Sequence, residues 1–428
     1  MTSPLRLGLA GLGTVGTGIV RIVQTHAALL EARAGRPVEI TAISARSRSK
    51  DRGVDLSGYA WEDDPVAVAR RDDVDVLIEV IGGEDGPAKA ATEAALAAGK
   101  HVVTANKAML AMHGQALAEL ADAKGLALRY EAAVAGGIPI VKALTEGLAA
   151  NAIHRVMGVM NGTCNYILTE MESTGADYAD VLADAQALGY AEADPSVDVG
   201  GIDAAHKLAL LSAAAFGTRV DFGAVAIEGI DHISLTDIEH ARDMGYRIKL
   251  LGVATHRDGR LEQRMQPCLV PEASPLGQLE GVTNMVVVEG DFVGQTVYQG
   301  PGAGEGPTAS AIMGDVVDIA RGLVIPVFGR PAASLVAPVE GGSGPASAFY
   351  LRFSLHDKPG ALASVAQALG AQGISINRMR QYDHQADEAP VLIVTHETDR
   401  AALDAALEQI AALPVNRSQP VAIRIENV

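Results

Sequence analysis

The chain has 428 residues, 48% hydrophobic and 20% charged, enough for two or three domains with full cores. A formal charge of −18 argues against nucleic acid or an anionic membrane surface as partner, since both need a basic face. No apolar run is long enough to span a bilayer, and the two cysteines, Cys164 and Cys268, give neither a disulfide framework nor a metal-ligand spacing, so a cytoplasmic protein is expected.

Met-Thr-Ser-Pro leads directly into the apolar strand Arg6–Ala10, with no signal-peptide pattern. That strand runs into Gly11-Leu-Gly13-Thr14-Val15-Gly16 and a helical pattern to about Leu30. Between a strand and a helix, this spacing is a dinucleotide cradle. Gly11 permits the tight turn, Gly13 lets the backbone approach a pyrophosphate, Gly16 allows close helix–strand packing, and the helix N-terminus faces the phosphates. The second strand, Val38–Ile43, should end near the adenosine ribose. From Ile40 to Lys50 there is no acid; the loop offers Arg46, Arg48 and Lys50 instead. Those cations suit a 2′-phosphate and favour NADP over NAD, with Arg46 the first choice; a solvated basic loop is the bland alternative.

Further strands at Asp75–Ile81, His101–Thr104 and Leu126–Tyr130 alternate with helices, which predicts an open, doubly wound parallel sheet. Gly82, Thr104, Asn106 and Lys107 fall at strand carboxyl ends, where a nicotinamide would lie. Residues 1–135, completed by 305–330, are assigned to this domain.

From residue 136 to 304 the strict alternation stops, predicting an α+β catalytic and dimerisation domain. Asn161-Gly-Thr-Cys-Asn-Tyr166 is either an ordinary capped helix start or the lining of a polar pocket. A helix over Tyr178–Leu188 delivers Gly189–Lys207, where Glu192, Asp194, Asp198 and Asp203 precede one lysine. Asp203 suits the start or cap of a helix and shares a face with Lys207 four residues on. The carboxylates would hold an ammonium, and Lys207 would polarise an oxygen or move a proton. A solvated loop with a surface ion pair is the bland alternative. Strands follow at Tyr246–Thr255, Arg260–Leu269 and Met285–Tyr298. A second glycine-rich turn, Tyr298–Gly304, then leads into a helix to about Gly322 that belongs with the first domain.

In order, Gly11–Gly16, Thr104–Lys107, Glu131-Ala-Ala-Val-Ala-Gly-Gly-Ile-Pro139, Asn161–Tyr166, Gly189–Lys207 and Tyr298–Gly304 resemble the motifs of homoserine dehydrogenases. The resemblance covers residues 1 to about 330. It implies reversible NAD(P)-dependent interconversion of L-homoserine and L-aspartate 4-semialdehyde, the branch step towards threonine and methionine. It assigns the acid/base role to Lys207 and a place beside the reacting oxygen to Lys107. Glu192 and Asp203 become substrate-holding carboxylates, supported by Asp198 and Tyr190, and Gly304 joins the cofactor contacts. Glu131, Val134, Gly136 and Ile138 resemble a loop that holds a monovalent cation, sodium or potassium, through carbonyl oxygens and one carboxylate. Gly200 stands where many relatives carry an acid. A homo-oligomer, dimer or tetramer, is also implied. A non-catalytic NADP-binding amino-acid sensor would share the cradle but has no use for both lysines and the acidic loop; another NADP-dependent amino-acid dehydrogenase is the remaining rival.

A Gly/Ser/Pro/Ala-rich linker, 331–347, precedes residues 348–428. Few contacts should cross it, so residues 1 to about 333 are expected to keep their own core. Strands at Phe349–Leu355, Ile374–Arg380, Pro390–His396 and Val421–Glu426, with helices Ala361–Gly370 and Asp399–Leu413, give the ferredoxin-like order βαββαβ. Asp357-Lys-Pro-Gly360-Ala-Leu362 after the first strand resembles the ACT domain. It implies an amino acid, threonine, bound near Asp357, Gly360 and Leu362, or a pairing module without ligand.

Overall fold

The computed structural model describes residues 3–340, 344–381 and 388–427. The N-terminal part comprises β1 (Leu5–Ala10), α1 (Thr14–Ala34), β2 (Val38–Ser44), β3 (Ala60–Glu62), α2 (Pro65–Arg70) and β4 (Val76–Glu79). It continues with α3 (Pro87–Ala97), β5 (His101–Thr104), α4 (Lys107–Ala123) and β6 (Leu128–Arg129). All six strands run parallel in the order β3-β2-β1-β4-β5-β6. The strand order reverses between β1 and β4, and the doubly wound architecture places a ligand crevice beyond their carboxyl ends. β3 escapes the sequence pattern because Ala-Trp-Glu is too short to show a period.

The middle of the chain opens with short helices α5 (Ala132–Ala135) and α6 (Ile140–Lys142), then β7 (Ile153–Val159), α7 (Gly162–Thr174), α8 (Tyr178–Ala187) and α9 (Ser196–Val199). There follow α10 (Ile202–Phe216), β8 (Ala226–Ile227), α11 (Leu235–Asp243), β9 (Tyr246–Arg257) and β10 (Arg260–Pro271). The predicted strand Met285–Tyr298 is two, β11 (Thr283–Gly290) and β12 (Gly294–Pro301), paired antiparallel through a turn at 291–293. Helix α12 (Glu305–Ala320) returns to the first sheet, and its Ala309, Ile312 and Val316 share a core with Ile19, Val20 and Val23 of α1. Residues 204–214 of α10 are almost all buried, as their run of Ala and Leu requires, because the helix lies across β7, β9 and β10 beside α4.

The last part carries β13 (Val339–Glu340), β14 (Phe349–His356), α13 (Ala361–Ala371), β15 (Ile376–Gln381), β16 (Glu388–Thr395), α14 (Arg400–Ala411) and β17 (Val421–Ile425). Its βαββαβ order and the strand sequence β17-β14-β16-β15 agree with the expected ferredoxin-like unit.

The linker behaves differently from expectation. Gln115 donates to the Ala332 carbonyl at 3.1 Å, and Asp122 accepts from the Ala332 amide at 2.6 Å. Leu335 is buried, and β13 pairs with β10. The middle of the linker, residues 341–343, lies outside the described residues. β17 also pairs with β10, merging the C-terminal strands and the middle strands into one sheet of 11 strands. Charges seal this junction. The buried Arg264 guanidinium bonds both Glu262 and Glu426, while Arg155 reaches Glu426 at 2.8 Å and Glu289 at 3.4 Å. Arg352 of β14 pairs with the fully buried Asp237 of α11 at 2.6 Å. Composition cannot reveal such pairing, since the bonding partners lie far apart in sequence.

Candidate functional site

Helix α10 begins at Gly201, whose φ of +81° turns the chain into it, and no side chain caps its first amides. Asp203, expected as a cap, sits inside the first turn and points to two lysines. Its Oδ2 accepts from Lys207 Nζ at 2.6 Å, and its Oδ1 lies 2.9 Å from Lys107 Nζ at the start of α4. Lys207 Nζ also donates to the Met160 carbonyl at 2.8 Å. The i,i+4 spacing that allowed a surface ion pair is therefore a buried one.

Asn161 combines both of its sequence readings. Its Oδ1 caps α7 by accepting from the Cys164 amide at 2.8 Å, while its Nδ2 donates to Asp198 at 2.9 Å and to Asp203 at 3.3 Å. Burial pushes the Asp203 carboxyl up, but Lys207 and Lys107 overcome it and hold the group well below the usual carboxylate range. Burial raises the Asp198 carboxyl, against the Asn161 hydrogen bond. One anion thus sits fixed between two ammonium groups, and a second carboxyl is more ready to take a proton.

These groups line a cavity of about 1000 Å³, which the Gly189–Glu192 loop joins from one side. Tyr190 packs edge-on to Tyr166 with ring centroids 5.0 Å apart, and its carbonyl accepts from the Thr163 hydroxyl at 2.6 Å. Glu192 is exposed at the cavity mouth. Gly200 caps the end of α9; a Cβ there would stand 2.5 Å from the Ser196 carbonyl oxygen, so an acid has no room in this backbone. The turn Gly302-Ala303-Gly304 at the start of α12 also lines this cavity.

The dinucleotide cradle has the geometry its glycines predict. A Cβ on Gly16 would stand 2.1 Å from the Gly11 carbonyl oxygen, whereas one on Gly13 would meet open space, the room a pyrophosphate needs. Thr14 is exposed at the start of α1, and Val15 lines the larger cavity. A second cavity of about 600 Å³ at the end of β2 is lined by Gly11, Gly13, Arg46, Lys50 and Arg52. Arg48 is not among its walls; its guanidinium lies 5.7 Å over the Trp61 ring. Arg52, missed in the sequence, donates to the carbonyls of Leu12, Ser47 and Lys50 at 2.7–2.9 Å and ties the basic loop to the glycine loop.

Thr104 also needs correction. It is fully buried and its hydroxyl donates to Glu79 at 2.6 Å, so the side chain does not face a ligand. Buried Glu79 was likewise missed. It accepts from the Ile81 and Gly82 amides at 2.6 and 3.3 Å and shapes the turn that holds Gly82, which lines neither cavity.

The expected cation loop surrounds a buried acid. The Glu131 carboxylate accepts from the Val141 and Lys142 amides at 2.9 and 2.8 Å, which holds it against the start of α6. Burial and neighbouring Asp315 push that carboxyl up to about 7. Among the described residues no group of three or more His, Cys, Asp or Glu could hold a metal ion. Val134 faces the main cavity, Gly136 packs on Gly302, and Ile138 is buried.

In the C-terminal unit, Asp357, Gly360 and Leu362 line a separate cavity of about 360 Å³ with Leu355, Gln381 and Val391. Gly360, with φ +90°, has open space where a side chain would be.

Comparison with known proteins agrees with this layout. The family model for homoserine dehydrogenase matches residues 139–317, that for the homoserine dehydrogenase NAD-binding domain matches 11–131, and that for the ACT domain matches 349–415. The homoserine dehydrogenase of Neisseria gonorrhoeae is 42% identical over 436 residues, covering 99% of each chain. That of Pseudomonas aeruginosa is 41% identical, again over 99% of each. The crystal structure of a homoserine dehydrogenase from Thiobacillus denitrificans superposes with a TM-score of 0.94 at 40% identity over 99% of both chains.

Proposed function

This chain belongs to the homoserine dehydrogenase family, an oxidoreductase with a nicotinamide-dinucleotide domain and an ACT domain, and from that premise we propose that it interconverts L-homoserine and L-aspartate 4-semialdehyde with NADP. The observation that carries the mechanism is the Lys107–Asp203–Lys207 triad in the wall of the main cavity. The dinucleotide supplies hydride transfer at the substrate's terminal carbon; everything else falls to the protein.

In reduction, charge grows on the aldehyde oxygen. Lys207, fixed by Asp203 and the Met160 carbonyl, is placed to donate its proton there, with Lys107 as a second cation. In oxidation Lys207 must take the hydroxyl proton, and loses one of its own beforehand. The carboxylates of Asp198, Asp203 and Glu192 would hold the substrate ammonium. Asn161 keeps Asp198 and Asp203 at a fixed spacing.

Arg46 and Lys50 favour NADP, since they line the adenosine-side cavity where NAD sites present an acid. A monovalent cation would be held by carbonyls such as those of Val134 and Gly136. The exposed Phe292, Val293 and Val297 beside the edge strand β12 favour a homo-oligomer. The place of this reaction in threonine and methionine synthesis, and a cytoplasmic location, follow from the same reading. Threonine is the proposed ligand of the cavity at Gly360.

Mixing the protein with NADP and L-homoserine tests the reading: absorbance at the reduced-nicotinamide band should rise, and a flat trace would reject it. Added threonine should slow that rise in wild type and not in Gly360→Asp, which fills the open space beside the turn. Equal inhibition of both would move the effector elsewhere.

A further inference from the structure

Residues 46–50, the basic loop after β2, are exposed, and among the described residues their hydrogen bonds are the two that Arg52 gives them. A short turn brings that guanidinium back over the loop. The Gly53 amide donates to Asp51 Oδ1 at 2.9 Å, and Gly53 takes φ +64°, where glycine is favoured. Arg52 then spreads its planar fork over three carbonyls. Its Nε donates to Leu12 at 2.9 Å, its Nη1 to Lys50 and its Nη2 to Ser47 at 2.7 Å each. Trp61 backs the fork, its ring centroid 5.9 Å from the guanidinium carbon.

The Leu12 bond reaches furthest. Leu12 lies between the first two cradle glycines, and its carbonyl shares one planar peptide with the Gly13 amide, which points the opposite way. Holding the carbonyl therefore sets the direction of the amide, at the glycine where a Cβ would meet open space. One side chain thus orients the peptide that a pyrophosphate approaches and the loop that presents Arg46 and Lys50 to the adenosine-side cavity.

We propose that Arg52 is a positioning residue for the dinucleotide, fixing the glycine loop and the basic loop in one arrangement before the cofactor arrives. This rests on the reading of that cavity as the adenosine side. Order set in advance is order that binding does not have to impose, so the clamp acts on affinity. The pyrophosphate is common to NAD and NADP, so losing the clamp weakens both, whereas Arg46 selects between them.

Arg52→Lys is the decisive variant, because an ammonium keeps the charge and cannot hold three carbonyls in a plane. The Kd values for NADP and for NAD, titrated by calorimetry without amino acid, should rise together by about tenfold, the size of one hydrogen bond. In turnover the loss should appear in the KM for the dinucleotide and not in kcat. Arg52→Met should weaken both dinucleotides at least as much. A lysine variant that binds both like wild type overturns the proposal. A loss confined to NADP also overturns it and places Arg52 on the 2′-phosphate. A lower kcat with unchanged Kd overturns it as well, and marks a defect of folding. Failure of wild type to oxidise homoserine would reject the proposed function separately, since the binding comparison does not depend on turnover.

Discussion

Lys107, the first residue of α4, and Lys207, in the second turn of α10, share one carboxylate, with Asp203 at 2.9 Å from the first and 2.6 Å from the second. Two ammonium groups held this close would repel each other without the anion between them, so Asp203 both assembles the pair and fixes its charge.

Lys207→Met should lower turnover by about 10²–10⁴-fold, the usual contribution of a general acid/base, while NADP binding persists. Steady-state kinetics beside a dinucleotide titration measures both. A variant keeping more than about a tenth of wild-type turnover would remove Lys207 from the chemistry.

Arg46→Asp should shift kcat/KM from NADP towards NAD, because it replaces a cation lining the adenosine-side cavity with the acid that binds a free ribose. Lys50, on the same wall, is the next residue to change if the ratio does not move. Arg48 is a poorer choice, since it lies over Trp61.

Glu426→Leu should destabilise the whole protein. Arg264 would keep Glu262 but lose its second carboxylate, and Arg155 would lose a partner at 2.8 Å; each buried charge-assisted hydrogen bond lost costs about 1.5–3 kcal/mol. A chain ending near Ala333 lacks β13 and β17 and leaves β10 without its partners at Arg260–Leu261 and Cys268–Leu269, so it should aggregate rather than survive as a free enzyme. Thermal melts and size-exclusion chromatography check the two. A soluble, active truncated chain would restore the independence that the linker composition suggested.

Stability should fall as pH rises from about 4.5 to about 7 through Glu131. Its carboxyl titrates near 4.5 when unfolded and is raised to about 7 by burial and Asp315 when folded. In that window the native state keeps a proton that the unfolded state has released, so ionisation penalises folding, and the penalty is complete above about 7. Glu131→Gln should flatten this part of the melting curve against pH; a slope equal to wild type would place the titration on another group.

The sequence by itself determined the parts whose physics is local. Gly11–Gly16 between a strand and a helix needs no partner to declare a cradle, and the βαββαβ order of the last 80 or so residues follows from period and turn chemistry. The acidic run before Lys207 pointed to the site for the same reason, since four-residue spacing sets a helix face. Tertiary structure decided which charges meet. Asp203 could have capped a helix in water, and only the approach of α4 brings Lys107 to its second oxygen. Glu131 meets the Val141 and Lys142 amides of the next helix, a contact that the sequence does not announce. The linker looked free because composition reports flexibility, not hydrogen bonds. Pairing of β17 with β10 and the Arg264–Glu426 contact depend on residues brought together from far apart in the chain, which no spacing in the sequence encodes.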